Sequence, residues 1–337
     1  MRLVATTVVR ESTRGKQTTG HIYDIDWDSH EVVHRLPVPD PSFPESDDNP
    51  RGGVRGGRGV AMTPKGLVMA NYDTLYVFDG DWQIVDSLSH PLFVGIHEID
   101  WDGEHLWAAA TAIDAVLRIG LDWTVEAAWD PHGRAGFERF ALRPRPHPLD
   151  GTIDYRIRQA PVLNECHVNG VARWNGATVI NCGLVRRRKP LHKRLVRRTA
   201  QKLGIGLRRD RHRSSRSLVV RLDPDQRSHV LIELDEHDFP THNGQLLDEN
   251  RVAVNDSTHN TLRVFELGDA EPREVVAVEI PGTWLRGLEP ISPTRVFVGS
   301  APASVALVDL DAQTIEASLQ LSDNPNEAVH GLTAIPS

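Results

Sequence analysis

Four histidines, two arginines and a set of amides recur along this chain at intervals that would gather them in one place. His97, His167, His242 and His330 offer imidazoles, which in the neutral form bind zinc, iron, copper or nickel. Arg58 and Arg286 offer planar guanidinium forks that hold a carboxylate, sulfate or phosphate through paired hydrogen bonds. Glu98 stands next to His97 and could exchange protons with a substrate. The chemistry expected of this set is metal-assisted hydrolysis or elimination of a small anionic substrate. His97, His167, His242 and His330 would hold a divalent transition metal, zinc or iron rather than calcium. His167, Glu98, Arg58 and Arg286 would act on the substrate, with Asn169, Asn243, Asn71, Asn181 and Asn255 contacting it. Two alternatives stay open: metal-free sulfuryl or phosphoryl transfer through a nucleophilic histidine, and a non-catalytic surface binding a glycan, lipid head group or protein. A single histidine at a strand start also commonly caps backbone groups or holds a structural water.

The residues that must be positioned open a repeated motif: a polar residue, usually Gly, then an apolar residue. It reads Arg58-Gly59-Val60, His97-Glu98-Ile99, Asn169-Gly170-Val171, Asn243-Gly244-Gln245, Arg286-Gly287-Leu288 and His330-Gly331-Leu332. After each motif come a short strand, a tight turn, a second strand ending in polar residues and an alternating third strand. Arg58 to Met62, the turn Pro64-Lys65-Gly66, then Leu67 to Ala70 and Leu75 to Phe78 illustrate this. The motif spacings are 39, 72, 74, 43 and 44 residues, a four-stranded period with two enlarged intervals. The expected fold is an all-β, six-bladed β-propeller in one domain, residues 1–337. After His330 there is chain for one strand only, and Arg2 to Val9, His21 to Trp27 and Glu31 to Val38 read as its three partners. The ring thus closes with one C-terminal and three N-terminal strands. With the inner strands running away from the motif face, the long segments Pro39 to Val54, Asp130 to Glu165 and Leu184 to Ser217 all rise on that face, where binding loops belong.

Charge is unevenly distributed. Of the 38 Lys and Arg, 14 fall between Leu184 and Arg216, where Asp210 is the only acid, and the rest of the chain is strongly acidic. This basic insertion, residues 184–216 within the fourth blade, carries an apolar stripe of Leu191, Leu195, Val196, Ala200 and Leu203. Its stretch 186–213 would suit an anionic membrane surface or an acidic ligand, or be a solvated loop. Nucleic acid is disfavoured, because such binders spread basic charge over a face. The chain start is too polar for a signal peptide and no run of 18 apolar residues exists, so a cytoplasmic location, peripheral to a membrane at most, is expected. Cys166 and Cys182 are the only cysteines, and the antiparallel hairpin of the fourth blade sets them side by side. Buried thiols are the first expectation, with a disulfide or a soft metal site also open.

Several of these segments resemble known proteins. Cys166-His167-Val168-Asn169-Gly170 resembles the Cys-His-x-Asn-Gly box of a family of uncharacterised bacterial six-bladed propellers. Pro240 to Leu246, Pro281 to Leu288 and His97-Glu98-Ile99 are similar to other strand starts of that family, whose likeness touches about two-thirds of the chain. The resemblance implies a propeller but no particular chemistry, and the basic insertion departs from it. His167-Val168-Asn169 is also similar to the axial His-x-Asn of arylsulfate sulfotransferases, although Asn181-Cys182-Gly183 stands where that family has Arg. The general layout resembles gluconolactonase-type propellers, which bind calcium through carboxylate and amides; this set is richer in histidine.

Overall fold

The computed structural model describes residues 1–10, 12, 18–44, 56–174, 177–187, 215–225, 227–235, 239–268 and 271–335. They form six four-stranded antiparallel sheets arranged as blades around one axis. Blade 1 combines β1 (Arg2–Val9), β2 (His21–Asp26) and β3 (Glu31–Pro37) with the C-terminal strand. Blade 2 is β4 (Val60–Thr63), β5 (Gly66–Ala70), β6 (Leu75–Phe78) and β7 (Ile84–Leu88); blade 3 is β8 (Ile96–Trp101), β9 (Leu106–Ala110), β10 (Ala115–Ile119) and β11 (Val125–Trp129). Blade 4 is β12 (Val168–Trp174), β13 (Ala177–Arg186), β14 (Ser215–Leu222) and β15 (Ser228–Asp235). Blade 5 is β16 (His242–Leu246), β17 (Arg251–Asp256), β18 (Thr261–Glu266) and β19 (Arg273–Glu279). Blade 6 is β20 (Thr283–Ser292), β21 (Arg295–Ala301), β22 (Ser304–Asp309) and β23 (Thr314–Gln320), and β24 (Glu327–Ile335) completes blade 1. The closure matches the sequence expectation: β24 pairs antiparallel with β1 from Arg2↔Ile335 to Val9↔Glu327.

Alternating apolar residues explain the cores. In β10, Ala115, Leu117 and Ile119 pack with blade 2, whereas Val116 packs with Val168 and Ile180 of blade 4. The second strands are buried on both faces and accordingly read as unbroken apolar runs, such as Leu106–Ala110. The outer strands are half exposed. The innermost strands meet in the cycle β24, β4, β8, β12, β16, β20 and back.

The motif glycines make that meeting physically possible. A methyl carbon at Gly59 would lie 2.3 Å from the Ile99 nitrogen of blade 3, one at Gly170 3.0 Å from Asn243 Cα of blade 5, and one at Gly331 2.2 Å from the Arg58 carbonyl oxygen. A side chain there would force neighbouring blades apart.

The blade-closing residues lock the same contacts with hydrogen bonds. From the end of the second strand, Thr6 Oγ1 donates to the Arg58 carbonyl of the next blade, Thr111 Oγ1 to Val168 (2.5 Å), Asn181 Nδ2 to Thr241 (3.0 Å) and Asn255 Nδ2 to Gly287 (3.1 Å). Each joins one blade to the following inner strand. The segment between β11 and β12 is pinned at Asp114, whose Oδ2 accepts from the Glu165 and Cys166 amides at 2.6 and 2.8 Å, with His132 Nε2 at 3.3 Å.

The fourth-blade insertion starts later than the sequence suggests. β13 continues to Arg186 and β14 begins at Ser215, so residues 184–186 and 215–216 are strand. The apolar stripe and the basic stretch 188–213 lie outside the described residues. No helix among the described residues is long and apolar enough to cross a membrane.

Candidate functional site

An irregularity in the inner strands aims the motif side chains. In blade 3 the pairing steps from Ile96↔Ala110 to Glu98↔Ala109, in blade 4 from Val168↔Cys182 to Gly170↔Asn181, and in blade 5 from His242↔Asn255 to Gly244↔Val254. In blade 1, Val329↔Thr7 is followed by Gly331↔Thr6. His97, Asn169, Asn243 and His330 are therefore each left out of the ladder. Blade 6 skips Gly287, between Arg286↔Gly299 and Leu288↔Val298. In blade 2, Ala70 accepts from the Arg58 amide at 2.8 Å and donates to Gly59 at 2.9 Å, again two residues facing one. Every blade thus carries a β-bulge at its motif, the device that turns a side chain away from the pleat.

Four imidazoles converge on the axis. His97 lies 5.2 Å from His167, 6.4 Å from His242 and 5.3 Å from His330 between ring centres, and His167 lies 6.2 Å from His242. The sequence suggests four equivalent positions, and the register shows otherwise. His97 and His330 occupy bulges, His242 precedes one, and His167 sits two residues before its bulge in a left-handed backbone conformation, φ 53°. His97, His242 and His330 are buried, whereas His167 is partly exposed at the mouth.

The hydrogen bonds fix which nitrogen carries the proton on two rings. His242 Nδ1 lies 3.1 Å from Ser257 Oγ, and that hydroxyl donates its own proton to the Leu285 carbonyl at 2.8 Å. Ser257 must therefore accept from Nδ1–H, and Nε2 holds the lone pair. His242 Nε2 is buried with no hydrogen-bond partner among the described residues. His167 Nδ1 donates to Asn164 Oδ1 at 3.2 Å. His97 Nδ1 faces both an acceptor, the Gly95 carbonyl at 2.9 Å, and a donor, Arg58 Nη1 at 2.9 Å. The same Arg58 nitrogen is 3.3 Å from His97 Nε2.

Electrostatics favours the neutral form of His97 and His242. Burial lowers His97 well below the usual histidine range, and the Arg58 guanidinium and the neighbouring rings lower it further. Burial, then the Arg286 charge, does the same to His242. Glu98 is pushed the other way: burial raises its carboxyl well above the ordinary range, with Asp100 and Glu289 adding repulsion. Its Oε1 accepts from the Ile99 amide at 3.2 Å, and its Oε2 accepts from Asn243 Nδ2 of blade 5, so the side chain links blade 3 to blade 5.

The amides singled out in the sequence turn out to knit blades together. Asn169 Nδ2 donates to the Thr241 carbonyl at 2.6 Å and its Oδ1 accepts from Asn181 at 2.6 Å. Asn255 Nδ2 is 3.3 Å from Asn243 Oδ1. Asn71 sits away from the rings: its Oδ1 accepts from the Asp73 and Thr74 amides and its Nδ2 donates to the Pro39 carbonyl at 3.2 Å. Cys166 and Cys182 are buried, unbridged thiols, and burial with the neighbouring Cys182 raises Cys166 well above the usual thiol range.

Two carboxylates at the far end of the channel escape the motif. Asp100 Oδ2 accepts from the Arg173 amide of blade 4 at 2.9 Å, and Glu289 Oε1 from the Ala334 amide of blade 1 at 2.9 Å. Burial raises Asp100 to about 6 and Glu289 to about 8. Their signal was alternation: Asp100 follows His97 by three residues and Glu289 follows Arg286 by three, on the same side of each bulged inner strand.

The imidazoles can be measured against a metal. The His97, His167 and His242 centres form a triangle of 5.2, 6.2 and 6.4 Å. Its midpoint lies about 3.5 Å from each ring, against about 3.2 Å for an imidazole bound to zinc. Among the described residues no three His, Cys, Asp or Glu side chains already close on a single ion. Imidazoles whose Nδ1–H is held by an oxygen, as in His167 and His242, are nevertheless oriented as metal-bound histidines are.

No protein-family model matches the chain, and no curated protein matches it. Solved structures do, as folds. A chain of the nidogen–laminin complex is similar over 98% of this chain and 97% of its own, with TM-score 0.55 and 8% identity. A putative gluconolactonase gives TM-score 0.52 and 12% identity over 79% of this chain and 78% of its own. A Lactobacillus plantarum protein gives 0.51 and 10% over 98% of both. The chain is an all-β six-bladed propeller like these.

Proposed function

We propose that the axial pocket is an enzyme site for a small anionic substrate, in which His97, His167 and His242 bind a divalent transition metal and Arg58 and Arg286 orient the anion. The observation that carries this reading is the shared tautomer of two rings from adjacent blades: His167 and His242 turn Nδ1–H to an amide oxygen and a hydroxyl. The His242 lone pair points into a buried space that offers it no partner among the described residues. Coordination would need each ring to turn a nitrogen toward their common centre, which lies about 3.5 Å from each ring centre. A bound metal would supply a Lewis acid and an activated water. The chain's own groups would hold the substrate by its charge and exclude bulk water, with Glu98, kept protonated by burial, as a proton donor. Hydrolysis or elimination is the reaction class. The unbridged thiols agree with a cytoplasmic setting. Metal analysis of protein purified without chelating resin tests this: a transition metal that is lost in His242→Ala supports it, and metal-free wild type with unchanged ligand affinity in His167→Ala refutes it.

One observation favours a second reading. The Arg58 guanidinium already sits on the His97 ring. Without a metal, such a pair could accept a sulfuryl or phosphoryl group on an imidazole, and a histidine adduct seen by intact mass after substrate exposure would identify it.

A further inference from the structure

The lead into β12 hangs on one buried ion pair. Asp114, just after the short turn that follows β9, holds a fully buried carboxylate in a left-handed backbone conformation, φ 48°. Its Oδ2 accepts from the Glu165 and Cys166 amides, and the Cys166 and His167 carbonyls accept in turn from the Leu184 and Gly183 amides at 3.3 and 3.0 Å. The backbone that presents His167 at the pocket mouth is thus anchored on one side by Asp114 and on the other by β13.

The ring of His132 completes the anchor, and its protonation follows from geometry. Nδ1 lies 2.7 Å from the Arg143 carbonyl, which can only accept. Nε2 lies 3.3 Å from Asp114 Oδ2, an oxygen that already accepts from two amides and so carries no proton of its own. Each ring nitrogen must therefore bear a proton, and the ring is an imidazolium. Its side chain is fully buried, as is its carboxylate partner, and His132 is the one ion-pair partner of Asp114 among the described residues. Asp114 Oδ1 has no hydrogen-bond partner among them, which leaves that buried charge dependent on the imidazolium. The remaining charged groups around the ring are mutually paired. Glu165 Oε2, 4.0 Å from Nδ1, accepts from the Arg143 amide; Asp130 Oδ1 accepts from the His132 amide and lies 3.5 Å from Arg145 Nε; Arg134 donates to the Asp130 carbonyl. Burial alone would lower the ring, but the bonds to Asp114 and the Arg143 carbonyl and the Asp114 charge outweigh it, against Arg145, and hold it above the ordinary histidine value of 6.5.

We infer that His132 is a positioning residue held as an imidazolium, a latch whose loss of a proton frees Asp114 and with it the Asn164–His167 stretch at the mouth of the pocket. The inference rests on the axial-site reading for its consequence at His167; the latch itself stands on His132 and Asp114. On the neutral ring one nitrogen turns a lone pair toward an oxygen, so either the Arg143 carbonyl or Asp114 loses its donor. A group raised by folding is fully latched below the unfolded value of 6.5 and lets go as pH rises through its own higher value.

Histidine nitrogen spectra and amide exchange on metal-free protein read the latch directly. At pH 6 His132 should show two protonated nitrogens. Exchange of peptides covering residues 160–170, corrected for the intrinsic effect of pH, should be at least tenfold faster at pH 9 than at pH 6. His132→Gln, which keeps a donor but no charge, should exchange at pH 6 within threefold of wild type at pH 9 and change less than twofold with pH. Asp114→Asn should move the His132 titration to lower pH in the same spectra. Melting curves check that both variants fold; if either does not, the wild-type spectra and exchange profile decide. A single protonated nitrogen on His132 at pH 6, pH-independent exchange in wild type, or pH-dependent exchange in folded His132→Gln overturns the latch. Zinc titrations then keep the two readings apart. His132→Gln should weaken zinc at least threefold at pH 7; zinc affinity that is lost in His242→Ala but unchanged in His132→Gln overturns the positioning role alone, whereas a titrating latch in a protein that binds no zinc sinks the metal reading alone.

Discussion

Replacing Glu327 by Gln should loosen the closure of the ring in a way that depends on pH. Glu327 begins β24, is 1% exposed, and receives hydrogen bonds at Oε1 from Thr7 Oγ1 (2.6 Å), His21 Nδ1 (2.8 Å) and Tyr23 OH (3.1 Å). All three donors lie on the N-terminal strands, so one carboxylate clasps both ends of the chain. Burial by itself would raise its pKa, but the hydrogen bonds from His21, Thr7 and Ser322 outweigh it and hold the group at about 2, against 4.5 for a free glutamate. At about 1.4 kcal/mol per tenfold change, the ionised clasp contributes about 3 kcal/mol. Since the folded value is depressed, that contribution is fully present above pH 4.5 and fades as pH falls through about 2. Urea unfolding followed by tryptophan fluorescence, at pH 7, 4.5 and 3, measures the difference between Glu327→Gln and wild type. It should be about 3 kcal/mol at pH 7, equivalent to a fall in Tm of about 4 °C for a chain of this length, and should shrink between pH 4.5 and 3. A difference below about 1 kcal/mol at pH 7, or one that does not change with pH, would falsify the clasp.

Other expectations follow from the same geometry. Glu289, raised to about 8, destabilises the fold when ionised; the penalty is absent below pH 4.5 and complete above about 8. Glu289→Gln should therefore match wild type at pH 4 and exceed it by more than about 1 kcal/mol at pH 9, as read from denaturation midpoints. Gly59→Ala places a methyl 2.3 Å from the Ile99 nitrogen and should cost about 1–3 kcal/mol or more; a Tm within 2 °C of wild type would refute the close approach of blades 2 and 3. Asn181→Ala, which removes donors to Thr241 and Asn169, should lower stability by about 1–3 kcal/mol, and an unchanged urea midpoint would count against its knitting role. Cys166 and Cys182 should resist a disulfide-exchange reagent in native buffer and react fully in urea; rapid native labelling would contradict their burial.

The fold was legible because a propeller writes itself repeatedly: six motifs, tight turns and alternating strands all agree, and the shortage of chain after His330 dictated how the ring closes. What could not be read was geometry that a period of two conceals. A bulge adds one residue without altering composition, so His97 and Asn169 share a register position while His167 stands two residues earlier. Asn169, Asn181 and Asn255 looked like ligand contacts for the same reason, since a polar residue at a strand end serves a neighbouring blade as readily as a bound molecule. The Asp114–His132 pair has no local pattern at all, because its partners are 18 residues apart and meet only through the chain's path.

The bulges have a consequence for how such a ring can change. In blades 1, 3, 4 and 5 the motif residue is left out of the ladder, so its side chain can change without altering the register of the strands. His97 and His330 behave as interchangeable sockets, whereas Asn169 and Asn243 also bind neighbouring blades and Arg58 and Arg286 stay in the backbone pairing of their sheets. Successive exchanges at single sockets would let one architecture drift from one ligand to another without passing through an unfolded intermediate.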